Sequence, residues 1–318
     1  MARRWPAAAL VVLLAAGCRG SSGGDAAADD PPAPPTSARA GGPAPGYGPP
    51  TVLGRIADPA VTESSGLAAS RRDPGVLWTH NDSGDEPLVY CLDLQGRSCG
   101  TWRVTGAEAF DWEDMAAGPG PRAGEPYLYL GDIGDNIDQR SEIVVYRIPE
   151  PAPPAPTGAS PASTAPAEAL RLRYPDGPHN AEALLVHPVS GDVYVISKDD
   201  QAPRVYKASA PLDAARRATL TQVGTIVLGT GIRGLEQVTG GDISPDGTRV
   251  ALSTYAQGYE LVLPAGAMSF DEIWAQPPQP VNVGPRLQGE AIAYRADGRA
   301  LLTTSEIAPS PLQQVERR

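Results

Sequence analysis

Acidic residues recur beside short runs of small apolar residues through most of the chain after residue 60. Glu113, Glu182 and Glu290 each begin such a run, and the Gly-containing turns 82–85 and 132–136 add carboxylate and amide oxygens. Crowded carboxylates raise one another's pKa unless a cation relieves their repulsion. These residue types therefore favour a site for a hard divalent cation that prefers oxygen ligands.

Calcium is the cation that this pattern favours, because Ca²⁺ takes six to eight oxygen ligands. Zinc is disfavoured, since the chain has only three histidines and they are scattered. The same glutamates could instead hydrogen-bond backbone amides as a structural ring, and Asp85, Asp138 and Asp200 could simply cap their turns. The expected metal ligands are Glu63, Glu113, Asp132, Asn136, Glu182, Asp242 and Glu290.

A cation beside a proton acceptor would support hydrolysis of a phosphoester or ester. The candidate catalytic residues are Glu113, His80 and Lys198. His80 could equally be structural, and Lys198 could either hold an anionic substrate group or neutralise Asp199. The chain has no Gly-x-Ser-x-Gly, P-loop or His-Glu-x-x-His motif. The alternative function is therefore a non-catalytic propeller that binds a small molecule or a protein at its acidic face.

The elements that must position these residues form a repeat of strand, turn and stronger strand. Gly-containing turns such as Asp246-Gly247 and Asp297-Gly298 join the two strands as hairpins. The five strand pairs are 65–70 with 76–79, 113–117 with 127–130, 182–186 with 193–196, 241–244 with 250–253, and 290–294 with 300–303.

Third and fourth strands follow most of these pairs, so four-stranded units recur along the chain. Such units predict an all-β fold, a single β-propeller over residues 51–318. Five blades are expected, or six if residues 225–238 contain another strand pair. The last unit lacks an outer strand, which residues 51–56 could supply, and this pairing would close the ring without an open edge.

Two resemblances support this interpretation. Residues 242–252 contain Ser-Pro-Asp-Gly and resemble the repeat of TolB-type and WD40-like propellers. Residues 63–66, 111–116, 131–136 and 288–293 resemble secreted bacterial propellers grouped near phytase-like esterases. The second likeness covers most of residues 60–306. It implies a propeller fold and metal-dependent phosphoester hydrolysis as an expected activity.

The N-terminus predicts secretion and attachment to a membrane. Arg3 and Arg4 precede an apolar stretch that is too short to span a bilayer comfortably. Residues 14–18 resemble the lipobox of bacterial lipoproteins, which implies a signal peptide over 1–18 and lipidation of Cys18. An ordinary signal peptide with an incidental cysteine is the alternative. We expect a protein of the cell envelope, outside the cytoplasm and held to a membrane through Cys18.

Two further segments are expected to be disordered because they cannot bury enough apolar surface. Residues 19–50 form a Pro-, Gly- and Ala-rich tether, and residues 151–166 form an insertion within the propeller. Cys91 and Cys99 flank a turn and could form a disulfide, or both could be reduced and buried. The net charge of −11 argues against a nucleic-acid partner, and we expect a monomer.

Overall fold

Strands make up almost all the regular structure in the residues that this computed structural model describes, namely 46–82, 84–155, 161–200, 202–228 and 235–318. They form five sheets, which we call blades 1 to 5. Blade 1 contains β2 (Ser64–Ala69), β3 (Val76–Asn81), β4 (Leu88–Asp93) and β5 (Ser98–Arg103). Blade 2 contains β6 (Trp112–Pro119), β7 (Pro126–Asp132), β8 (Ile143–Pro149) and β10 (Glu168–Arg173).

The remaining blades repeat this order. Blade 3 contains β11 (Ala181–Val186), β12 (Val193–Ser197), β13 (Arg204–Ala208) and β15 (Thr221–Thr225). Blade 4 contains β16 (Val238–Ile243), β17 (Arg249–Thr254), β18 (Gly258–Val262) and β19 (Gln279–Val281), with a 3₁₀-helix over Phe270–Ala275. Blade 5 contains β20 (Gly289–Tyr294), β21 (Ala300–Ser305), β22 (Pro311–Glu316) and β1 (Thr51–Arg55).

The first strands of the blades, β2, β6, β11, β16 and β20, pack against one another in a closed ring and are called the inner strands. The four strands of each blade pair antiparallel, outward from its inner strand. This arrangement is a five-bladed β-propeller and confirms the predicted fold. Six blades would have needed an extra strand pair in 225–238, but residues 226–228 and 235–237 form no strand, and 229–234 lie outside the described residues.

The two ends of the described chain meet in blade 5, as the missing outer strand predicted. β1 pairs antiparallel with β22, with Thr51 opposite Gln314. Just before β1, Tyr47 pairs with Arg317, and its hydroxyl donates to Glu260 of blade 4 at 2.6 Å. Residues 46–50 of the expected tether therefore belong to the propeller. Cys18, the signal segment and the rest of the tether lie outside the described residues.

Apolar clusters between adjacent blades form the core, because each strand presents alternate side chains to the two neighbouring blades. Trp78 and Trp102 pack edge to face with ring centroids 5.2 Å apart, between blades 1 and 2. A fully buried side chain of this size stabilises the fold by about 2–3 kcal/mol. Packing of this kind holds the inner strands at fixed positions around the ring.

Two short strands extend the outer edges of blades 1 and 2, and the first of them differs from expectation. Within the segment expected to be disordered, Ala162–Ser163 form β9, which pairs parallel with β5 because the outer edge of blade 1 offers free backbone groups. Ala218–Thr219 form β14 and extend the edge of blade 2 in the same way. Cys91 and Cys99 form a disulfide between β4 and β5. Across the described ranges, no helix is long and apolar enough to span a bilayer.

Candidate metal centre

Each inner strand has a β-bulge close to its first residue, where the pairing with the second strand loses register. A bulge re-aims the side chains of the residues that it leaves unpaired. The unpaired residues include Ser65 in blade 1, Glu113 in blade 2, Glu182 in blade 3, Thr239 in blade 4 and Glu290 in blade 5. Three of the five bulges therefore place a glutamate at the same end of the ring.

We call this end the acidic end; the inner strands begin there and the second strands end there. Its acidic residues come both from the bulges and from the adjoining loops. They include Glu63, Asp82, Asp111, Glu113, Glu182, Glu290 and Glu306. The end of the ring at which the inner strands finish, near Arg71, Asp242 and Tyr294, is called the opposite end.

Asp82, Asp111 and Glu113 converge at the acidic end. One carboxylate oxygen from each lies within 4.8 Å of the other two. Asp111 and Glu113 are buried, whereas Asp82 is half-buried and reaches solvent. Three hard oxygen donors at this spacing suit a divalent cation and leave room for further ligands from water or a bound anion.

Gly134, in the loop after β7, permits this convergence. Its backbone N–H donates to the Asp111 carbonyl at 3.2 Å. A Cβ at this position would lie 2.2 Å from Glu113 Oε1 and 2.4 Å from Asp111 Oδ2. Only glycine therefore allows the loop to approach these two carboxylates so closely.

Burial and mutual repulsion control the charge of the surrounding carboxyl groups. Burial, together with the charges of Glu182, Asp82 and Asp111, raises the pKa of Glu113 well above its usual range. Burial raises the pKa of Glu182 to about 7, although Lys198 opposes this shift. Burial and the charge of Asp82 raise the pKa of Glu306 to about 7. A divalent cation would relieve this repulsion.

The other predicted ligands occupy different places. Glu290 is buried, and burial and the charges of Glu182 and Glu306 raise its pKa well above its usual range. Glu63 is exposed at the rim, where its backbone pairs with Ile307. Asp132 accepts the backbone N–H groups of the loop before β6 and pairs with Arg140 at 2.8 Å. Asp132 is therefore engaged in holding that loop.

Asn136 and Asp242 also lie apart from the triad. The Asn136 side chain accepts a hydrogen bond from the Asn180 amide at 3.2 Å. Asp242 was expected at the start of an inner strand, but that placement is wrong. β16 begins at Val238, so Asp242 lies near the strand's finish, at the opposite end of the ring. The two glycines Gly240 and Gly241 concealed the first half of this strand from sequence-based prediction.

His80 is fully buried on β3 against Trp112, with ring centroids 5.5 Å apart, and burial lowers its pKa to about 4. It is therefore a neutral packing group without access to solvent. Lys198 forms an ion pair with Glu182, and its Nζ lies 5.2 Å from the centroid of the Tyr255 ring. Asp199 pairs instead with Arg204, so Lys198 does not neutralise Asp199.

Asp114 follows the bulge of blade 2 and crosses the axis of the ring. Its Oδ2 accepts the backbone N–H of Leu184 in blade 3 at 3.0 Å and that of Gly241 in blade 4 at 3.1 Å. Blades 2 and 4 are not neighbours, so a bond between them must pass through the centre of the ring. Asp114 is fully buried, and burial raises its pKa well above the usual range. Asp114 therefore links blades 2, 3 and 4 at the centre of the ring.

Sequence analysis counted the turn 82–85 among the possible sources of oxygen ligands, but it selected neither Asp82 nor Asp111 as a ligand. Their convergence depends on the bulge at Glu113 and on the loop around Gly134. The glycine between two acidic residues, in Asp132-Ile-Gly-Asp135, was the available signal. Exposed apolar side chains also surround this end of the ring. They are Phe110, Ile137, Leu235, Leu287 and Ile307.

The fold and the site together define a five-bladed propeller with an acidic, solvent-accessible end. No protein-family model matches the chain, and no curated protein does. Among solved structures, the chain is similar to Kuenenia stuttgartiensis hydrazine synthase, with 9% identity over 80% of this chain and 83% of that one, at a TM-score of 0.41.

A second similar structure is a chain of a mitotic checkpoint complex, with 14% identity and a TM-score of 0.35. The match covers 78% of this chain and 62% of the checkpoint chain, which is less than two thirds of its length. The assignment of the fold rests on the order of the sheets described above.

Proposed function

We propose that this protein is a divalent-cation-binding propeller whose metal, Ca²⁺ in the first instance, is held by Asp82, Asp111 and Glu113. The observation that supports the proposal is the approach of three carboxylate oxygens to within 4.8 Å of one another. Burial and the charges of Glu182, Asp82 and Asp111 raise the pKa of Glu113, and this supports the proposal because a cation would relieve the repulsion between the carboxylates. The close approach of Gly134 leaves the two buried carboxylates little freedom to separate.

Titration of the chelator-treated full chain with Ca²⁺, followed by calorimetry, tests this proposal. Glu113→Gln should weaken binding by about 100-fold, because it removes a charged ligand. Glu290→Gln is the matched control, since Glu290 occupies the equivalent bulge in blade 5 and is equally buried but lies outside the triad. Equal losses of Ca²⁺ affinity in both variants would assign the site to the whole ring of glutamates. If the parent chain bound no Ca²⁺, the cation-binding proposal would be refuted.

Hydrolysis of a phosphoester or ester is the second function, and Glu182 favours it. Glu182 Oε2 has no hydrogen-bond partner among the described residues, and burial raises the pKa of this residue to about 7. A carboxylate with these properties is suited to take a proton from an attacking water near neutral pH. Lys198 holds Oε1 and so fixes the orientation of the carboxylate. When bound, Ca²⁺ would polarise the substrate oxygen.

Turnover of p-nitrophenyl phosphate, bis-p-nitrophenyl phosphate and p-nitrophenyl acetate with Ca²⁺ tests the catalytic proposal. Glu182→Gln should abolish turnover while Ca²⁺ binding is retained. His80→Gln serves to test the alternative base, which we do not expect to contribute because burial lowers the pKa of His80 to about 4 and so makes it a weak base. Cation binding without turnover would leave the non-catalytic function, in which a small molecule or a protein binds at the acidic end.

We also propose that the protein is a bacterial lipoprotein that faces an oxidising compartment. The lipobox-like residues 14–18 support lipidation of Cys18, and the Cys91–Cys99 disulfide is typical of proteins outside the cytoplasm. Labelling of cells with a radioactive fatty acid should mark the parent chain and not Cys18→Ser. Labelling of both chains would refute lipidation at this cysteine.

A further inference from the structure

A cavity of about 320 Å³ lies at the opposite end of the ring. Its walls come from the last residues of β2, β6, β16 and β20 and from the loops that follow them. Cavities of this volume are typical of sites for small organic ligands. Asp114 lies on β6 between Glu113 of the proposed cation site and Ala117 of the cavity wall.

Two opposite charges face the cavity, and backbone hydrogen bonds hold both. Arg71 Nε donates to the Ala117 carbonyl at 2.8 Å, which fixes the guanidinium group. Asp242 Oδ1 accepts the backbone N–H of Ile243, and Oδ2 accepts that of Tyr294, each at 2.8 Å. Neither charged group depends on the other for its position.

Arg71 and Asp242 attract each other electrostatically but do not reach ion-pair distance, which is 4.0 Å between nitrogen and oxygen. The Nη groups of Arg71 make no hydrogen bond to the described residues, so they are available to a ligand. Each Asp242 oxygen has a further lone pair beyond its backbone hydrogen bond. A ligand that carried both charges could satisfy both residues at once.

The remaining walls are mostly apolar, and the two hydroxyl-bearing residues among them, Ser70 and Tyr294, already donate to Glu150 and Glu260. Ala68, Ala117 and Ala296 contribute methyl groups, and Pro74 and Pro245 contribute ring surfaces. These side chains leave space for a short aliphatic group but offer few polar partners beyond the two charges. A ligand with only a negative charge would bind Arg71 but be repelled by the Asp242 carboxylate. A ligand with only a positive charge would bind Asp242 but be repelled by the Arg71 guanidinium group.

We propose that this cavity binds a small zwitterion, an α-amino acid with a short apolar side chain. Its carboxylate would accept hydrogen bonds from the Arg71 guanidinium in a bidentate arrangement. Its ammonium group would donate to Asp242, and its side chain would lie against the alanine and proline walls. The site is independent of the cation proposed at the acidic end.

Calorimetric titration of the full chain with L-alanine tests the proposal, with propionate and ethylamine as ligands that each lack one charge. Alanine should bind, and either single-charge ligand should bind at least about tenfold more weakly, because it leaves a protein charge unmatched. Arg71→Gln should reduce the affinity for alanine by a similar factor. Arg72→Gln is the matched control, since Arg72 is the exposed neighbour outside the cavity.

Ala296→Leu tests the same site without a change in charge. Ala296 is exposed on the cavity wall, so a leucine should fill part of the cavity without disturbing the fold, and alanine binding should fall. Equal affinities for alanine and propionate would overturn the zwitterion proposal in favour of a simple anion site. Absence of alanine binding, or equal losses in Arg71→Gln and Arg72→Gln, would overturn the site. Asp111→Asn should leave alanine binding unchanged.

Discussion

The acidic end and the opposite end are built from the same five inner strands, yet they differ in regularity and in charge. At the acidic end, bulges interrupt the strand pairing and turn glutamates toward one another. Lys198 forms an ion pair with one of them, Glu182. At the opposite end, the strands remain in register, and small residues surround one arginine and one aspartate. Repeated bulges are therefore what concentrate charge at one end of this ring.

The contrast also separates two ways of stabilising a buried carboxylate. Burial raises the pKa of Asp114 and Asp242, and the backbone N–H groups that they accept from neighbouring blades oppose this shift. Burial also raises the pKa of Glu113 and Glu290, and the charges of neighbouring carboxylates add to this shift. Hydrogen bonds therefore offset part of the cost of burial for the two aspartates, whereas repulsion adds to it for the two glutamates, where a bound cation can relieve it.

The largest expected effect on stability comes from removal of the Asp114 carboxylate, which links blades 2, 3 and 4 at the centre of the ring. Asp114→Ala leaves buried N–H groups of Leu184, Gly241 and Met115 without their acceptor. Each such loss costs about 1–3 kcal/mol, so the free energy of unfolding should fall by about 3–5 kcal/mol. Urea denaturation measures this change. Asp213→Ala, at an exposed turn, is the control, and similar losses in both variants would refute the central role of Asp114.

A smaller effect should distinguish the acidic end through pH. The pKa values of Glu182 and Glu306 are about 7 in the folded state, raised from 4.5. A carboxyl group with a raised pKa stabilises the fold most below its unfolded pKa, and this stabilisation is lost as the pH rises through about 7. The metal-free chain should therefore lose stability between about pH 5 and pH 8.

Thermal melting with and without Ca²⁺ measures this dependence. Saturating Ca²⁺ should remove most of the loss, since the cation favours the ionised carboxylates. Glu182→Gln together with Glu306→Gln should flatten the pH profile of the metal-free chain. A metal-free chain that is more stable at about pH 8 than at about pH 5 would contradict the proposed cost of these carboxylates.

The smallest expected effect concerns the approach of the loop after β7. Gly134→Ala should displace the Glu113 and Asp111 carboxylates and weaken Ca²⁺ binding by about tenfold. Alanine binding at the opposite end should not change. Gly48→Ala is the control, since its Cβ would meet no atom closer than 3.5 Å. Unchanged Ca²⁺ affinity in Gly134→Ala would show that the triad does not form the site.

The sequence predicted the ring better than the site, for physical reasons. Hairpin turns and spacing are local signals, so the blades and the closing strand β1 were predicted correctly. Bulges depend on pairing between strands, and this is why Asp82 and Asp111 were not chosen as ligands. Asp242 was misplaced because Gly240 and Gly241 resemble a turn more than the middle of a strand. Asp132 has a side chain of the type that binds cations, but in the fold it pairs with Arg140, and the sequence alone does not show this pairing.

The closing blade has a mechanical consequence. The first described residues, Gly46 and Tyr47, pair with Arg318 and Arg317, so a force applied at Gly46 acts next on the pairing between β1 and β22. Tyr47 precedes β1 in the chain, and its buried hydroxyl donates to Glu260 of blade 4. Glu260 also accepts hydrogen bonds from Arg249 of blade 4 and Tyr294 of blade 5. A force from the N-terminal side must therefore break the contacts of Tyr47 before it can separate β1 from β22. The Tyr47 side chain thus protects the strand pairing that closes the ring.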